Sequence, residues 1–258
     1  MEIEHSHTEY FASPVMKLPG KLFREGKVLK LAQLSDLHMR GFLERHERLV
    51  EAIRSYELDL VLITGDTLGP SQESRASAAR LVRALACDSP VYISRGNWDV
   101  EWTSRRVEFE RLAAHWGARA LVNTSCTVET PAGRVRLIGV DDLTVGWPDL
   151  GLVLAQAEDR TDYSLLLSHS PLAAPMLPAD APVDLVLSGH THGGQIRVPW
   201  LWRRVLDSAY VPYAQGLYNF RWGHMYVNKG FGTVGLPLRL ACPAEVAFFE
   251  IGDRAQRA

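Results

Sequence analysis

Five strand-length apolar runs in this 258-residue chain each end in a short cluster of Asp, Asn or His. Run 28–34 leads to Asp36 and His38, run 58–63 to Asp66, and run 91–94 to Asn97. Run 163–167 leads to His169, and run 183–187 to His190 and His192. In open α/β sheets, ligands gather beyond the carboxyl ends of the strands. A sheet built from these runs therefore brings donors distant in sequence to one edge.

The segments between the runs say which sheet. Residues 43–56 place Leu43, Leu49, Val50 and Ile53 on one face, the pattern of an amphipathic helix. Residues 74–86 and 105–116 read as helices as well. Beyond 119 the pattern turns hairpin-like: strands over 127–130 and 134–140 flank a turn at Pro131, Ala132 and Gly133. The chain from 210 to 251 reads as short β segments. The expected fold is α/β, with two sheets packed together between helical layers. Pro14, Pro19, Gly20 and Gly26 break any periodicity in residues 1–26. The expected organisation is an N-terminal arm over 1–26, one domain over 27–252 and a tail over 253–258.

Composition excludes several functions. Hydrophobic residues make up 47% and charged residues 22%, enough for a core without staples. The formal net charge of −2 argues against a general nucleic-acid binder, so no nucleic-acid partner is expected. Cys87, Cys126 and Cys242 form no CxxC pair and read as idle thiols in a reducing compartment. No apolar run approaches the ~20 residues of a membrane span. The opening MEIEHSHTEY lacks the apolar stretch of a signal peptide, so the expected location is cytoplasmic.

Each donor cluster alone is ordinary, a turn or a core histidine, and only GHTH at 189–192, with two imidazoles flanking one residue after a glycine, is stronger. Their shared position at five strand ends is not ordinary. Imidazoles together with carboxylate and amide oxygens suit manganese, iron or zinc. No thiolate joins them, which argues against a structural zinc knot. Asp36, His38, Asp66, Asn97, His169, His190 and His192 exceed what one ion needs. Two ions sharing a carboxylate is the simplest arrangement.

The ordered set Asp36-x-His38, Gly65-Asp66, Gly96-Asn97-x-Asp99, His169 and Gly189-His190-Thr191-His192 resembles the five motifs of calcineurin-like metallophosphoesterases. GHTHGGQI at 189–196, YVNKGFG at 226–232 and PLR at 237–239 are similar to its bacterial YkuE/YaeI-like branch. The resemblance implies a four-layer αββα sandwich of two mixed sheets flanked by helices. It implies two divalent ions, with manganese expected and iron, zinc or a mixed pair as alternatives. Asp36, His38 and His192 would hold the first, Asn97, His169 and His190 the second, and Asp66 both. Such a pair clamps a phosphoryl group and activates a bridging hydroxide for in-line attack. The implied substrate is a small phosphodiester or pyrophosphate, which includes amphiphilic nucleotides such as UDP-2,3-diacylglucosamine. A phosphomonoesterase, or a metal-binding interaction module with little catalysis, is the alternative.

One position departs from the family. Its loop usually reads Gly-Asn-His-Asp or Gly-Asn-His-Glu, and that His is usually assigned to the phosphoryl oxygens or the leaving group. Here it is Trp98. An indole N–H donates a hydrogen bond but is no acid near neutral pH. General acid help is typically worth ~10²–10⁴ in rate. Three readings stay open: a substrate with a good leaving group, a substitute among Arg95, His224 and His46, or metal binding with little turnover. Arg95 is also a candidate phosphate contact. Asp99 reads as a supporting acid behind the ligands, toward the indole or Arg95, or as a helix N-cap.

Directly after the last motif comes VPWLWRRVL at 198–206. Trp200 and Trp202 beside Arg203 and Arg204 suit a lipid-linked substrate or peripheral membrane contact. Packing of the tryptophans inward is the alternative.

Overall fold

The computed structural model describes residues 2–7, 10–20, 23, 26–103, 105–156, 163–199 and 202–252. One sheet contains β1 (Glu2–His7), β2 (Ala12–Pro19), β3 (Val28–Leu34), β4 (Leu60–Thr64), β5 (Val91–Ser94), β6 (Ala118–Ala120) and β13 (Ala247–Gly252). The other contains β7 (Thr124–Glu129), β8 (Arg134–Gly139), β9 (Tyr163–Leu167), β10 (Leu185–Ser188), β11 (Gly216–Asn219) and β12 (His224–Val227). The strand orders are β1-β2-β13-β3-β4-β5-β6 and β11-β12-β10-β9-β8-β7. Helices α1 (Glu44–Arg54), α2 (Gln72–Ala86), α3 (Asn97–Thr103), α4 (Arg106–His115), α5 (Leu150–Ala155), α6 (Ala173–Met176) and α7 (Trp202–Val205) complete the described elements.

Side-chain alternation along the strands builds the layers. Leu29 and Leu31 of β3, and Leu60 and Leu62 of β4, face the second sheet. There they meet Leu165 and Leu167 of β9 and Leu185 and Leu187 of β10. The alternate residues Ala32, Leu34, Val61 and Ile63 pack under Leu49 and Ile53 of α1, Leu81 and Leu85 of α2 and Phe109 of α4. Leu166 and Val186 face the opposite way, against Val153 of α5 and Ala174 of α6. The result is the four-layer αββα sandwich of two mixed sheets. The inner strands are buried on both faces, which is why they read as continuous apolar runs.

The N-terminal residues differ from the arm read in the sequence. Strand β2 lies inside the first sheet, antiparallel to β1 and parallel to β13. Phe11, Met16 and Leu18 are buried. The prolines do not break it because of where they fall. Pairing with β13 begins at Val15, just after Pro14, and ends at Pro19, so few sheet bonds need the missing N–H groups. A second difference is α3, a seven-residue helix that begins at Asn97, where the sequence reads as a loop.

Candidate metal centre

Strands β3, β4 and β5 are parallel neighbours, and so are β9 and β10. Their carboxyl ends therefore emerge side by side within each sheet. One buried side chain joins the two edges: Gln33 Nε2 donates to Thr64 Oγ1 and to Ser188 O, at 2.9 Å each. His169, from the second sheet, sets its Nδ1 2.8 Å from Thr64 O of the first. All of Asp36, His38, Asp66, Asn97, His169, His190 and His192 meet at this seam. Asn97 and His190 are half-buried and the other five are buried.

The backbone is bent to bring them together. Asp36, His38, Asp66, His190 and His192 have φ of 51°, 40°, 52°, 70° and 51°. Non-glycine residues rarely adopt this left-handed region, and it concentrates at functional sites. Two motif glycines permit the crowding. A Cβ on Gly96 would lie 2.3 Å from Asp66 Oδ1, and one on Gly189 would lie 2.4 Å from Asp36 Oδ2.

The donor atoms face one another. Nε2 of His38 and Nε2 of His192 are 3.1 Å apart, and His192 Nε2 is 3.2 Å from Asp36 Oδ1. Asn97 Oδ1 lies 3.2 Å from His169 Nε2 and 3.1 Å from His190 Nδ1. Between these groups, Asp66 Oδ2 is 3.4 Å from His38 Nε2 and 3.3 Å from His169 Nε2. Ligands of an ion ~2.1 Å away stand about 3.0–3.4 Å from each other, so these separations fit a cation. Asp36, His38 and His192 form one group able to hold an ion, and Asp36, Asp66 and His169 another. The tautomer of His169 fits too. A carbonyl only accepts, so Nδ1 carries the proton toward Thr64 O and Nε2 turns to the donors.

Electrostatics agrees. Burial would raise the carboxyls of Asp36 and Asp66, but the imidazoles around them outweigh it and hold both below the usual carboxylate range. Burial would lower His169, yet Asp66 and then Asp36 lift it well above the ordinary imidazole value. Burial pushes His38 down to about 4 against the pull of Asp66. His190 also falls to about 4, by burial and then by His169. Two carboxylates held below their usual range, buried among imidazoles, make a donor set that suits divalent ions.

The flanking residues divide. Asp99 is fully buried and orients neither the indole nor Arg95. Its carboxylate accepts from the backbone N–H groups of Gly96, Leu68 and Thr67 at 3.0, 2.9 and 3.3 Å. It thereby ties the Asp66 loop to the Asn97 loop. Arg95 is buried and gives Nε and Nη2 to Asp141 at 2.9 and 2.7 Å, which commits most of its guanidinium to that carboxylate. Trp98 donates its backbone N–H to Asp66 Oδ1 at 2.9 Å. Its indole meets His38 edge-on, with ring centroids 4.7 Å apart.

The two other histidines proposed as substitutes are elsewhere. His46 caps α1, where Nδ1 accepts from Leu43 N at 2.9 Å. His224 is level with Leu185 at the start of β12, while the site follows Ser188 at the other end of the parallel β10. Trp202 packs over Gly194, with the guanidinium carbons of Arg197 and Arg203 at 4.3 and 5.4 Å from its ring. Trp200 and the side chain of Arg204 lie outside the described residues.

Two neighbours carry no donor motif, so the sequence gives them no role. Arg239 grips Gly232 O with Nε and Nη2 and sets Nη2 3.5 Å from His192 Nδ1. Tyr210 lays its ring 4.6 Å from that of His190. Arg239 sits in the PLR segment, which carries part of the resemblance but no metal donor.

Residues 29–194 match the family described as Calcineurin-like phosphoesterase. The chain is 31% identical over 227 residues to "Uncharacterized metallophosphoesterase YkuE" of Bacillus subtilis (strain 168), covering 86% of this chain and 78% of that protein. It is 30% identical over 228 residues to "Phosphodiesterase YaeI" of Escherichia coli (strain K12), covering 86% and 82%. The crystal structure of TT1561 from Thermus thermophilus shares the fold, with a TM-score of 0.53 at 17% identity over 80% of this chain and 91% of that one. No helix among the described residues is long and apolar enough to cross a membrane.

Proposed function

Since this chain belongs to the calcineurin-like metallophosphoesterases, we propose that it uses two divalent ions to hydrolyse a small phosphodiester or pyrophosphate. The observation that carries the reading is Asp66 Oδ2, nearly equidistant from His38 Nε2 and His169 Nε2. Asp36, His38 and His192 would hold one ion, Asn97, His169 and His190 the other, and Asp66 would be shared between them. The donor set suits manganese, iron or zinc. Divalent ions, when bound by these residues, would supply Lewis-acid polarisation of the phosphoryl oxygens and acidify a water for attack.

The chain's own groups do the rest. The Thr64 carbonyl and Gln33 hold the seam, so the donors stay fixed through the reaction. Asp99 keeps the two oxygen-bearing loops at constant separation. Trp98 stands against the His38 ring and offers no proton to a leaving group. The two flanking arginines are committed, Arg95 to Asp141 and Arg239 to Gly232 O. With no acid at position 98, the site favours a substrate whose leaving group departs without a proton, as in a pyrophosphate or an activated diester. The name of the Escherichia coli relative, Phosphodiesterase YaeI, supports the same choice.

The test is a matrix of Mn²⁺, Zn²⁺, Fe²⁺ and Mg²⁺ against chromogenic monoester, diester and pyrophosphate probes. Diester or pyrophosphate should show the highest kcat/KM, and Asp66→Ala should be inactive. Undiminished turnover in Asp66→Ala would remove the two-ion reading, and a monoester preference would remove the substrate assignment.

A further inference from the structure

A cavity of about 510 Å³ opens beside His192. That volume lies within the range of small-molecule sites. Ile196, Leu206, Val234 and Leu236 supply its apolar lining. Its polar neighbours face inward to the protein. Gln195 Nε2 donates to Val234 O and Leu236 O, and its Oε1 accepts from Val234 N. Thr191 Oγ1 donates to Ala214 O. His192 remains as the polar end of the cavity, and it also belongs to the donor group with Asp36 and His38.

The apolar surface continues outward. Leu236 is 62% exposed, and Leu238, Leu240 and Val198 are exposed as well. Leu240 is held against the cavity wall by its bridge to Ile196 and by Arg197 N, which donates to Leu240 O at 2.9 Å. On the other side stand Trp202 and the two guanidiniums stacked on it. An apolar surface joined to an apolar cavity marks a ligand groove.

We propose that this cavity binds a hydrocarbon substituent of the substrate, and that the substrate is an alkyl phosphoester. The proposal rests on the phosphoesterase reading above. Because His192 is both a wall of the cavity and part of the metal centre, a chain in the cavity begins close to phosphorus. It is therefore attached at the ester oxygen or through a short spacer, with no long polar headgroup between. Arg197 and Arg203 give the mouth positive charge, which complements a second anionic group on such a substrate.

The experiment uses the manganese-loaded full chain and p-nitrophenyl alkyl phosphodiesters from methyl to octyl, each below its micelle concentration. kcat/KM should rise about 2- to 4-fold per added methylene until the cavity is filled. Leu236→Glu should lower the octyl-to-methyl ratio at least 10-fold, and Leu236→Met should restore it. Leu236 is exposed, so neither change threatens the core. Calorimetry with octylphosphonate and methylphosphonate provides a readout without turnover, and the octyl compound should bind tighter with a negative heat-capacity change. A flat chain-length series with an active methyl ester overturns the subsite and leaves the phosphoesterase intact. No turnover of any of these esters, nor of a pyrophosphate probe, overturns the phosphoesterase reading and this one with it. Equal binding of the two phosphonates, or retention on anionic vesicles with a flat series, overturns the subsite and gives the apolar rim to a membrane.

Discussion

At the residue scale, Trp98 sets a testable limit on chemistry. Its indole touches His38 and cannot donate a proton to a departing oxygen. Trp98→His should raise kcat by up to ~10²-fold on esters with poor leaving groups and little on p-nitrophenyl esters. An equal gain on both classes would show that the indole acts by blocking access. The donors themselves were legible because Asp, Asn and His recur at the ends of five apolar strands, where a parallel sheet gathers them at one edge. Their left-handed backbone was not: Asp and His are enriched at positive φ but adopt it at only a few per cent of positions, so the residue types of Asp36 and His192 do not single it out. Arg239 was hidden for another reason, since its partners are a backbone carbonyl and a ring forty-seven positions away.

At the element scale, Asp99 holds two loops by three amides, and its loss should loosen both. Asp99→Ala leaves those N–H groups without an acceptor, at about 1–3 kcal/mol each when buried. The melting temperature should fall by at least roughly 6 °C, taking the three amides at the low end of that range and about 2–4 °C per kcal/mol for a chain this long. Weaker ion binding should accompany it; a melting temperature within 2 °C of the parent (about 1 kcal/mol or less) would show the tie to be idle. The cap of α1 yields a pH prediction. Burial and then Arg45 push His46 down to about 4 from an ordinary 6.5. Between those values the unfolded chain binds more protons, so stability rises with pH across this window and is lost as pH falls. His46→Gln should remove roughly 2–3 kcal/mol of the difference between pH 7 and pH 4, seen in urea melts. An unchanged slope would place His46 in contact with solvent. Strands and long helices were legible through their periods of 2 and 3.6 residues. Helix α3 was not, since seven residues opening on Gly96-Asn97 look like a turn. Nor was β2, whose place depends on pairing with β13 at the far end of the sequence.

At the scale of the whole molecule, the oxygen donors Asp36, Asp66 and Asn97 come from the first sheet, and His169, His190 and His192 come from the second. Ions bound at the seam join the two layers, so ligand linkage should appear as stability. Saturating Mn²⁺ at 100 times its Kd should add about 2.7 kcal/mol, and chelation should remove it. Asp66→Asn should abolish most of that difference, and an unchanged metal-dependent rise would exclude Asp66 as a shared ligand. The order of assembly follows. Residues 29–97 emerge from synthesis with all the oxygen donors and His38, and no amount of local folding supplies the other imidazoles. Tight ion capture must wait until the second sheet has docked and Gln33 has found the Ser188 carbonyl. Ion uptake during refolding therefore works as a clock for the last step, and should lag the burial of Trp116 against the first sheet.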